Sequence, residues 1–374
     1  MGTQSKPLLL SRDVCCVLGL PFDITSLRDT VNEVNLLAET GQPCFLSTPN
    51  LNFVIATQSD SNFFQSVVDS DLSVADGMPL IWVAKLLGLP LPERVAGSTL
   101  FDDLSKQQGK PNKIKVFFFG GEQGIAEQAH NKLNETSSAM VSCGFYDPGF
   151  VAVDEMSTSD VIDHINTAAP DFVVVALGAK KGQAWIQNNR DKLTVPIISH
   201  LGAVINFVAG NIERAPVFWQ RSGLEWLWRV KQEPTLWRRY LFDGLAFIKL
   251  LLVKVFPLAV YDRTLKRSSF FQNSCEIKLE NTDNNIIHLG GSIHHKNLTE
   301  LKQSFSSVIE QFQGDVEIDC AKLEYIDAAF IATLLLFQRY LNEQNRQLSL
   351  QAVPKRIIRI LSFNIVLTRF IIIP

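Results

Sequence analysis

Three junctions in the first two-thirds of the chain share one design: an apolar run, then glycine, then a segment with helical spacing. Lys115–Phe119 leads into Gly120-Gly121-Glu122-Gln123-Gly124, Phe172–Leu177 into Gly178, and Pro196–Ser199 into Gly202. Unbroken apolar runs of this length bury both faces of a strand, and their alternation with helical segments is the pattern of a parallel sheet flanked by helices. The expected fold is therefore α/β. Ligands of such sheets bind beyond the carboxyl ends of the strands, where these glycine loops lie. The helix amino ends that follow offer free N–H groups and a positive dipole end to a phosphate. Glycine after a strand also serves plain turn chemistry, so one junction leaves both readings open. Three facing one crevice bring a phosphate-bearing ligand level with the plain turn reading.

Polar residues gather at two further strand ends. After Cys44–Leu46 stand Ser47, Thr48, Pro49 and Asn50, and after Leu72–Ala75 stand Asp76 and Gly77. A carboxylate at that place can act as a general base. It can equally cap the helix that starts at Met78, and spacing alone favours the cap. Arg94, in LPERVAGSTL, presents a guanidinium suited to a phosphate. Asp69-Ser70-Asp71 spells an Asp-x-Asp, a triplet able to hold a metal–nucleotide pair, but it falls in the approach to a strand, which favours a structural role. The six histidines show no ligand spacing; only His200 lies at the expected crevice, where a structural role is the simpler reading. No metal and no cofactor are expected.

From Arg214 to Arg239 arginine is interleaved with tryptophan, and Leu241–Tyr261 is strongly apolar but broken by Asp243, Lys249, Lys254 and Pro257. A spanning helix needs roughly 20 mostly uncharged residues. The expectation is a stretch lying in the headgroup layer, the alternative being a helix pair packed on the protein's own core. Asp262–Ser274 reads as a linker. Beyond it come strand Cys275–Leu279, strand Ile286–Gly290, helix Leu298–Phe312, strand Val316–Cys320, helix Ala329–Asn342, strand Leu348–Ala352 and a last helix: a second, small α/β domain. The expected boundaries are 13–241, 242–274 and 275–374. A net charge of −3 gives no global attraction to nucleic acid. Six cysteines without a Cys-x-x-Cys pair suggest buried free thiols in a reducing compartment. The first residues lack the basic, apolar and small-residue regions of a secretory signal, so the cytoplasm is the expected location.

The series STPNLNF, VADGMPLIWVAKLLG, ERVAGSTLFDDL, FFFGGEQGIAEQA, GFYDPGF, VVVALGAKKGQAWI and GAVINFVAGNIERAPVFWQRSGLEWLWRVKQEPTLWRRYL resembles the WecG/TagA/CpsF glycosyltransferase family, in order and spacing, over about Cys15–Leu241. The resemblance implies a Rossmann-like parallel-sheet domain. It also implies metal-independent, inverting transfer of an N-acetylated hexosamine-type sugar from a UDP donor to a polyprenyl-diphosphate-linked acceptor, at the cytoplasmic face of the membrane. Asp76 then matches the general base and Thr48 its polar neighbour. Asn50, Gly77, Arg94 and Gly97 match pocket residues, and the donor site extends to Gly120, Gly121, Gln123, Gly178, Lys181 and Gln183. Arg214, Arg229, Arg238 and Arg239 match an appendage that reaches the acceptor diphosphate at the membrane surface. Without a metal, arginine and helix amino ends must supply the charge that the departing UDP needs. One departure stands out: where the family has a Pro-Lys-Gln-Glu-like run, this chain has Lys180-Lys181-Gly182-Gln183.

IIHLGGSIHHKNLTELKQSFSSVI and VEIDCAKLEYIDAAFIATLLLFQRYLNEQNRQLSLQAV resemble a STAS domain over about Cys275–Arg369. Switching members read Asp-Ser-Ser-Gly after the second core strand and are phosphorylated on the first serine. Here the loop reads Asp327-Ala328-Ala329-Phe330, which has no hydroxyl. The expectation is a docking or scaffolding module for a protein partner, with Asp327 capping the next helix. A transferase weakened at Lys180–Gln183 and kept as a membrane-tethered scaffold is the rival reading. Oligomeric state stays open, with a homo-oligomer among the possibilities.

Overall fold

The computed structural model describes residues 8–109, 112–216, 218, 219, 223–268, 271, 275–281 and 285–373. Its thirteen strands, in chain order, are β1 (Val14–Val17), β2 (Leu20–Asp23), β3 (Cys44–Ser47), β4 (Leu72–Ser73), β5 (Ile114–Gly120), β6 (Met140–Tyr146), β7 (Phe172–Ala176), β8 (Ile197–His200), β9 (Glu276–Asn281), β10 (Asn285–Ile293), β11 (Val316–Ile326), β12 (Leu348–Gln351) and β13 (Ile371–Ile373). The chain divides into two compact units. One comprises Thr25–Ile81 and Pro92–Gly244; the other comprises Met1–Ile24, Trp82–Leu91 and Leu245–Pro374.

The first unit is a six-stranded sheet in the order β4-β3-β8-β7-β5-β6, parallel throughout. Its expected apolar runs are strands because both faces are covered. Val116 and Phe118 of β5 enter one core with Leu46 and Val174, while Phe117 and Phe119 enter the other with Val173 and Trp185. Trp185 stacks on Phe119 with ring centroids 4.2 Å apart and donates its indole N–H to Met156 O at 2.9 Å. Every loop that follows β3, β4, β5, β7 and β8 therefore emerges at the same, carboxyl edge.

The second unit is built on a five-stranded sheet, β13-β12-β11-β10-β9, in which only β9 is antiparallel. The helix after β11, Ala328–Glu343, is apolar on nearly all sides and twelve of its residues are buried. Such a helix needs cover all round. The antiparallel hairpin β1–β2 packs against it, as does helix Leu298–Gln311, whose Phe305 stacks on Phe337 at 4.0 Å. All eight hairpin residues are buried. The tight turn holds Leu18 and Gly19 at φ +50° and +92°. The compact unit that holds the far helix thus also holds the hairpin that covers it. The stretch read as a linker begins inside a helix that ends at Lys266, and residues 269, 270 and 272–274 lie outside the described residues.

The apolar stretch is part of one continuous helix, Pro234–Lys266, with an 18-residue window of mean hydropathy 1.9; by length and composition it suffices to cross a membrane. Asp243, Lys249 and Lys254, the charges that argued against a span on sequence, lie within this helix without ending it. A π turn over Leu251–Val255 precedes Pro257, where the missing N–H would otherwise break the regular ladder. Phe247, Leu250, Val255, Leu258 and Ala259 are buried, and Lys254 donates to Ser362 O at 2.9 Å. Leu245, Ile248, Leu252, Phe256 and Val260 form an exposed row.

Candidate active site

Three loops meet at the carboxyl edge of β3 and β4. The Asp76 N–H donates to Pro49 O at 2.9 Å, and the Val95 N–H donates to Ala75 O at 3.0 Å. These bonds bring the Thr48–Asn50, Asp76 and Arg94 segments together from positions far apart in sequence. Helix Gly97–Ser105 starts beside them with Ala96 in the cap position, which contributes no side-chain hydrogen bond. Its open amino end faces Asp76, whose Oδ2 accepts the Gly97 N–H at 3.4 Å. A Cβ on Gly97 would lie 2.5 Å from Leu201 Cδ2 and 3.5 Å from the Thr48 hydroxyl, so a side chain here would push the Leu201 side chain aside. Asn50 caps helix Leu51–Thr57 through bonds from Asn52 and Phe53 N–H at 3.0 and 3.3 Å. Gly77 lies against it, its Cβ position 3.8 Å from Asn50 Cβ.

Asp76 thus turns to the helix at Gly97 rather than to the helix at Met78, the partner that spacing favoured. Its pKa is pushed up to about 6, first by burial; Arg94 opposes, Glu225 adds to the rise, and the Gly97 N–H and Arg229 pull down. A carboxyl poised there is ionised at neutral pH yet basic enough to accept a proton. Arg94 is itself held by Glu225, Nη1 to Oε2 at 2.7 Å, both side chains largely buried. Sequence reading missed Glu225. The only local signal is a lone carboxylate in the first turn of helix Glu225–Gln232, ahead of Arg229.

The other expected donor residues stand further along the same edge. Gly120 and Gly121 have φ of +93° and +98°, and a Cβ on Gly120 would sit 2.7 Å from Ala176 O. Gln123 is exposed, and helix Ile125–Thr136 begins after Gly124 without a side-chain cap. Gly178, at φ +80°, opens helix Ala179–Asn189, likewise without a side-chain cap. Lys181 is half-buried, whereas Lys180 is drawn to Asp60 at 2.9 Å. Gln183 is buried and donates to Ser47 Oγ at 3.0 Å.

The four tail arginines separate into two pairs. Arg214 binds Asp102 at 2.7 Å and Thr99 at 2.8 Å, and Arg229 pairs with Glu233 at 3.5 Å. Arg238 and Arg239 are exposed beside the rings of Trp237 and Tyr240, 5.5 and 5.1 Å from their centroids. The Asp-x-Asp triplet lies elsewhere. Asp69 accepts from Gln65 at 2.7 Å and Gln187 at 2.9 Å, and Asp71 accepts the Phe45 N–H at 2.9 Å, near the amino end of β3. Asp327 caps the helix after β11 through Ala329 and Phe330 N–H, at 3.0 and 2.9 Å, as its position suggested.

Comparison with known proteins agrees with this architecture. The sequence profile described as "Glycosyl transferase WecG/TagA/CpsF family" matches residues 15–259. A second profile, "Mlab, STAS domain", matches residues 277–364. A Bacillus spizizenii protein named N-acetylglucosaminyldiphosphoundecaprenol N-acetyl-beta-D-mannosaminyltransferase is 29% identical over 197 residues, covering 53% of this chain and 74% of that protein. A Staphylococcus aureus protein of the same name is 22% identical over 254 residues, 67% of this chain and 94% of its own length. An α/β unit with a six-stranded parallel sheet, carrying these motifs at its carboxyl edge, therefore places the chain in the WecG/TagA/CpsF glycosyltransferase family, with a STAS domain behind the transferase region.

Proposed function

We propose that this protein transfers an N-acetylated hexosamine-type sugar from a UDP donor to a polyprenyl-diphosphate-linked acceptor, with inversion, in the making of an exopolysaccharide or related surface polymer. The observation that carries the reading is Asp76, half-buried against an open helix amino end that it accepts from, with desolvation raising its pKa to about 6. In the proposed step an acceptor hydroxyl oxygen attacks the anomeric carbon as its proton passes to the Asp76 carboxylate. The bond to the UDP oxygen breaks, and the electron pair leaves with UDP. Thr48 flanks the base. Arg94 meets the diphosphate by exchanging the Glu225 carboxylate for phosphate oxygens, and the amino ends at Gly97, Gly124 and Gly178 add positive potential without a metal.

The relatives' names specify a lipid-linked acceptor, and the long helix has the surface to meet it. We place the protein on the cytoplasmic face of the membrane, with the row Leu245–Val260 in the interface and Arg238 and Arg239 at headgroup level. The opposite side of that helix packs on the STAS-bearing unit, through contacts such as Lys254 to Ser362, which supports lying on the membrane over crossing it. The STAS module serves as a scaffold. Purified protein given a UDP-N-acetylhexosamine and a polyprenyl-diphosphate acceptor should release UDP and form product. Asp76→Ala should abolish both with the fold intact; unchanged turnover in that variant removes Asp76 from the role.

The second reading, a weakened transferase kept as a scaffold, draws on Gly182 standing where the family has glutamine. A folded protein that neither binds nor turns over UDP-sugars would favour it.

A further inference from the structure

The family resemblance sets a glutamine against Gly182, and the structure shows what fills the space there. A Cβ built on Gly182 would lie 2.2 Å from Cδ2, 2.9 Å from Cγ and 3.1 Å from Nε2 of His200. The imidazole therefore covers the point on helix Ala179–Asn189 from which a side chain at 182 would project. Its Nε2 also lies 3.2 Å from the Cβ position of Gly202. Two glycines thus flank the ring; a side chain at 182 would displace it, and one at 202 would press on it.

His200 ends β8 at the carboxyl edge of the sheet, next to β3 with its Ser47-Thr48. The neighbouring Leu201 packs on Gly97, and Gln183, next to Gly182, bonds to Ser47. The ring therefore belongs to the loops that surround Asp76. It is 8% exposed, yet its Nε2 has no hydrogen-bond partner, and neither has the buried Gln183 Oε1. Unpartnered buried polar atoms are costly and rare. Two such atoms on side chains bordering the position that departs from the family point to a ligand polar group.

Burial lowers the imidazole pKa to about 4, so the ring is neutral at physiological pH. A neutral imidazole offers one donor and one acceptor and suits a hydroxyl or amide; a phosphate calls for a cation. We propose that His200 takes the place of the side chain absent at Gly182 and hydrogen-bonds the uncharged part of the donor, a hydroxyl or acetamido group of its sugar. The assignment rests on reading this edge as a sugar-nucleotide pocket.

The test compares full-length His200→Ala, His200→Gln, Gly182→Gln and the double variant Gly182→Gln/His200→Gly with the parent. The readouts are thermal melting and calorimetric affinity for UDP and for a UDP-N-acetylhexosamine, measured separately. His200→Ala should weaken the UDP-sugar at least tenfold and leave UDP unchanged, and His200→Gln should recover most of the loss. Gly182→Gln should lose UDP-sugar affinity through collision with the ring, and adding His200→Gly should restore it at least tenfold. The assignment is overturned if folded His200→Ala keeps its UDP-sugar affinity, if UDP and UDP-sugar weaken equally, or if the double variant is no better than Gly182→Gln. A parent protein that binds neither ligand overturns the pocket reading along with it, whereas intact UDP binding with no His200 effect overturns the assignment alone.

Discussion

Replacing Asp76 with asparagine should strengthen the fold while removing the proposed base. Burial beneath the start of helix Gly97–Ser105 pushes the carboxyl pKa to about 6, with Glu225 adding to the rise and Arg94 opposing it. In an unfolded chain the same group titrates near 3.9, so the difference of about two units corresponds to about 3 kcal/mol in favour of the protonated form. The folded state holds the proton more tightly than the unfolded state does. Stability is therefore lost as pH rises from about 4 to about 6 and stays lowered above that range. Asparagine has the same shape and no charge to desolvate. Its advantage over the parent should be near zero at pH 4 and reach as much as about 3 kcal/mol at pH 8. For a domain of this size 1 kcal/mol moves Tm by about 2–4 °C, so a rise of several degrees is expected. Melts followed by circular dichroism at both pH values measure it. A variant that melts at or below the parent temperature at pH 8, or an advantage independent of pH, would refute the claim that a desolvated charge sits at this position.

Glu225→Gln removes a carboxylate that raises the Asp76 pKa, so the acid limb of kcat/KM should move to lower pH; an unmoved limb in the pH–rate profile would contradict the coupling. Deleting residues 275–374 takes away the helix on which β1 and β2 rest and uncovers eight buried residues. The truncated chain should aggregate or melt far below the parent, whereas a cleanly folded, active truncation would show the STAS module to be dispensable. Changing Leu245, Leu252 and Val260 together to serine removes three exposed side chains, each worth about 1.5–3 kcal/mol if fully buried in lipid. Flotation with anionic vesicles should fall at least tenfold with melting unchanged; undiminished flotation would exclude this row as the contact.

The parallel sheet could be read from sequence because β5, β7 and β8 are buried on both faces and so appear as unbroken apolar runs. β6, Met140–Tyr146, was not found, since Ser142, Cys143 and Gly144 interrupt its apolar run. The hairpin β1–β2 escaped for another reason. Its turn is Leu18-Gly19 rather than an Asn-Gly or Asp-Gly pair, and the helix it covers lies some 300 residues away. The apolar excess of helix Ala328–Glu343 was a visible sign that cover was needed, but not of which segment supplies it.

At the site, residue types and strand ends were legible while partners were not. Asp76 sits two residues before the helix at Met78, and local spacing favoured capping that helix. Tertiary contact instead turns it to Gly97, twenty-one residues on. Arg94 was found as a cation, but Glu225, which holds it, is 131 residues distant and no local pattern links the two. His200 was assigned a structural role because nothing near it in sequence shows that Gly182 leaves room for its ring.

The central claim is most directly tested by incubating purified protein with a radiolabelled UDP-N-acetylhexosamine and a polyprenyl-diphosphate-linked N-acetylhexosamine acceptor, and following label into the lipid fraction against UDP released. The account predicts stoichiometric transfer by the parent protein and none by Asp76→Asn, which melts above the parent temperature at pH 8. No transfer by the folded parent with any UDP-N-acetylhexosamine, or full transfer by Asp76→Asn, would contradict it.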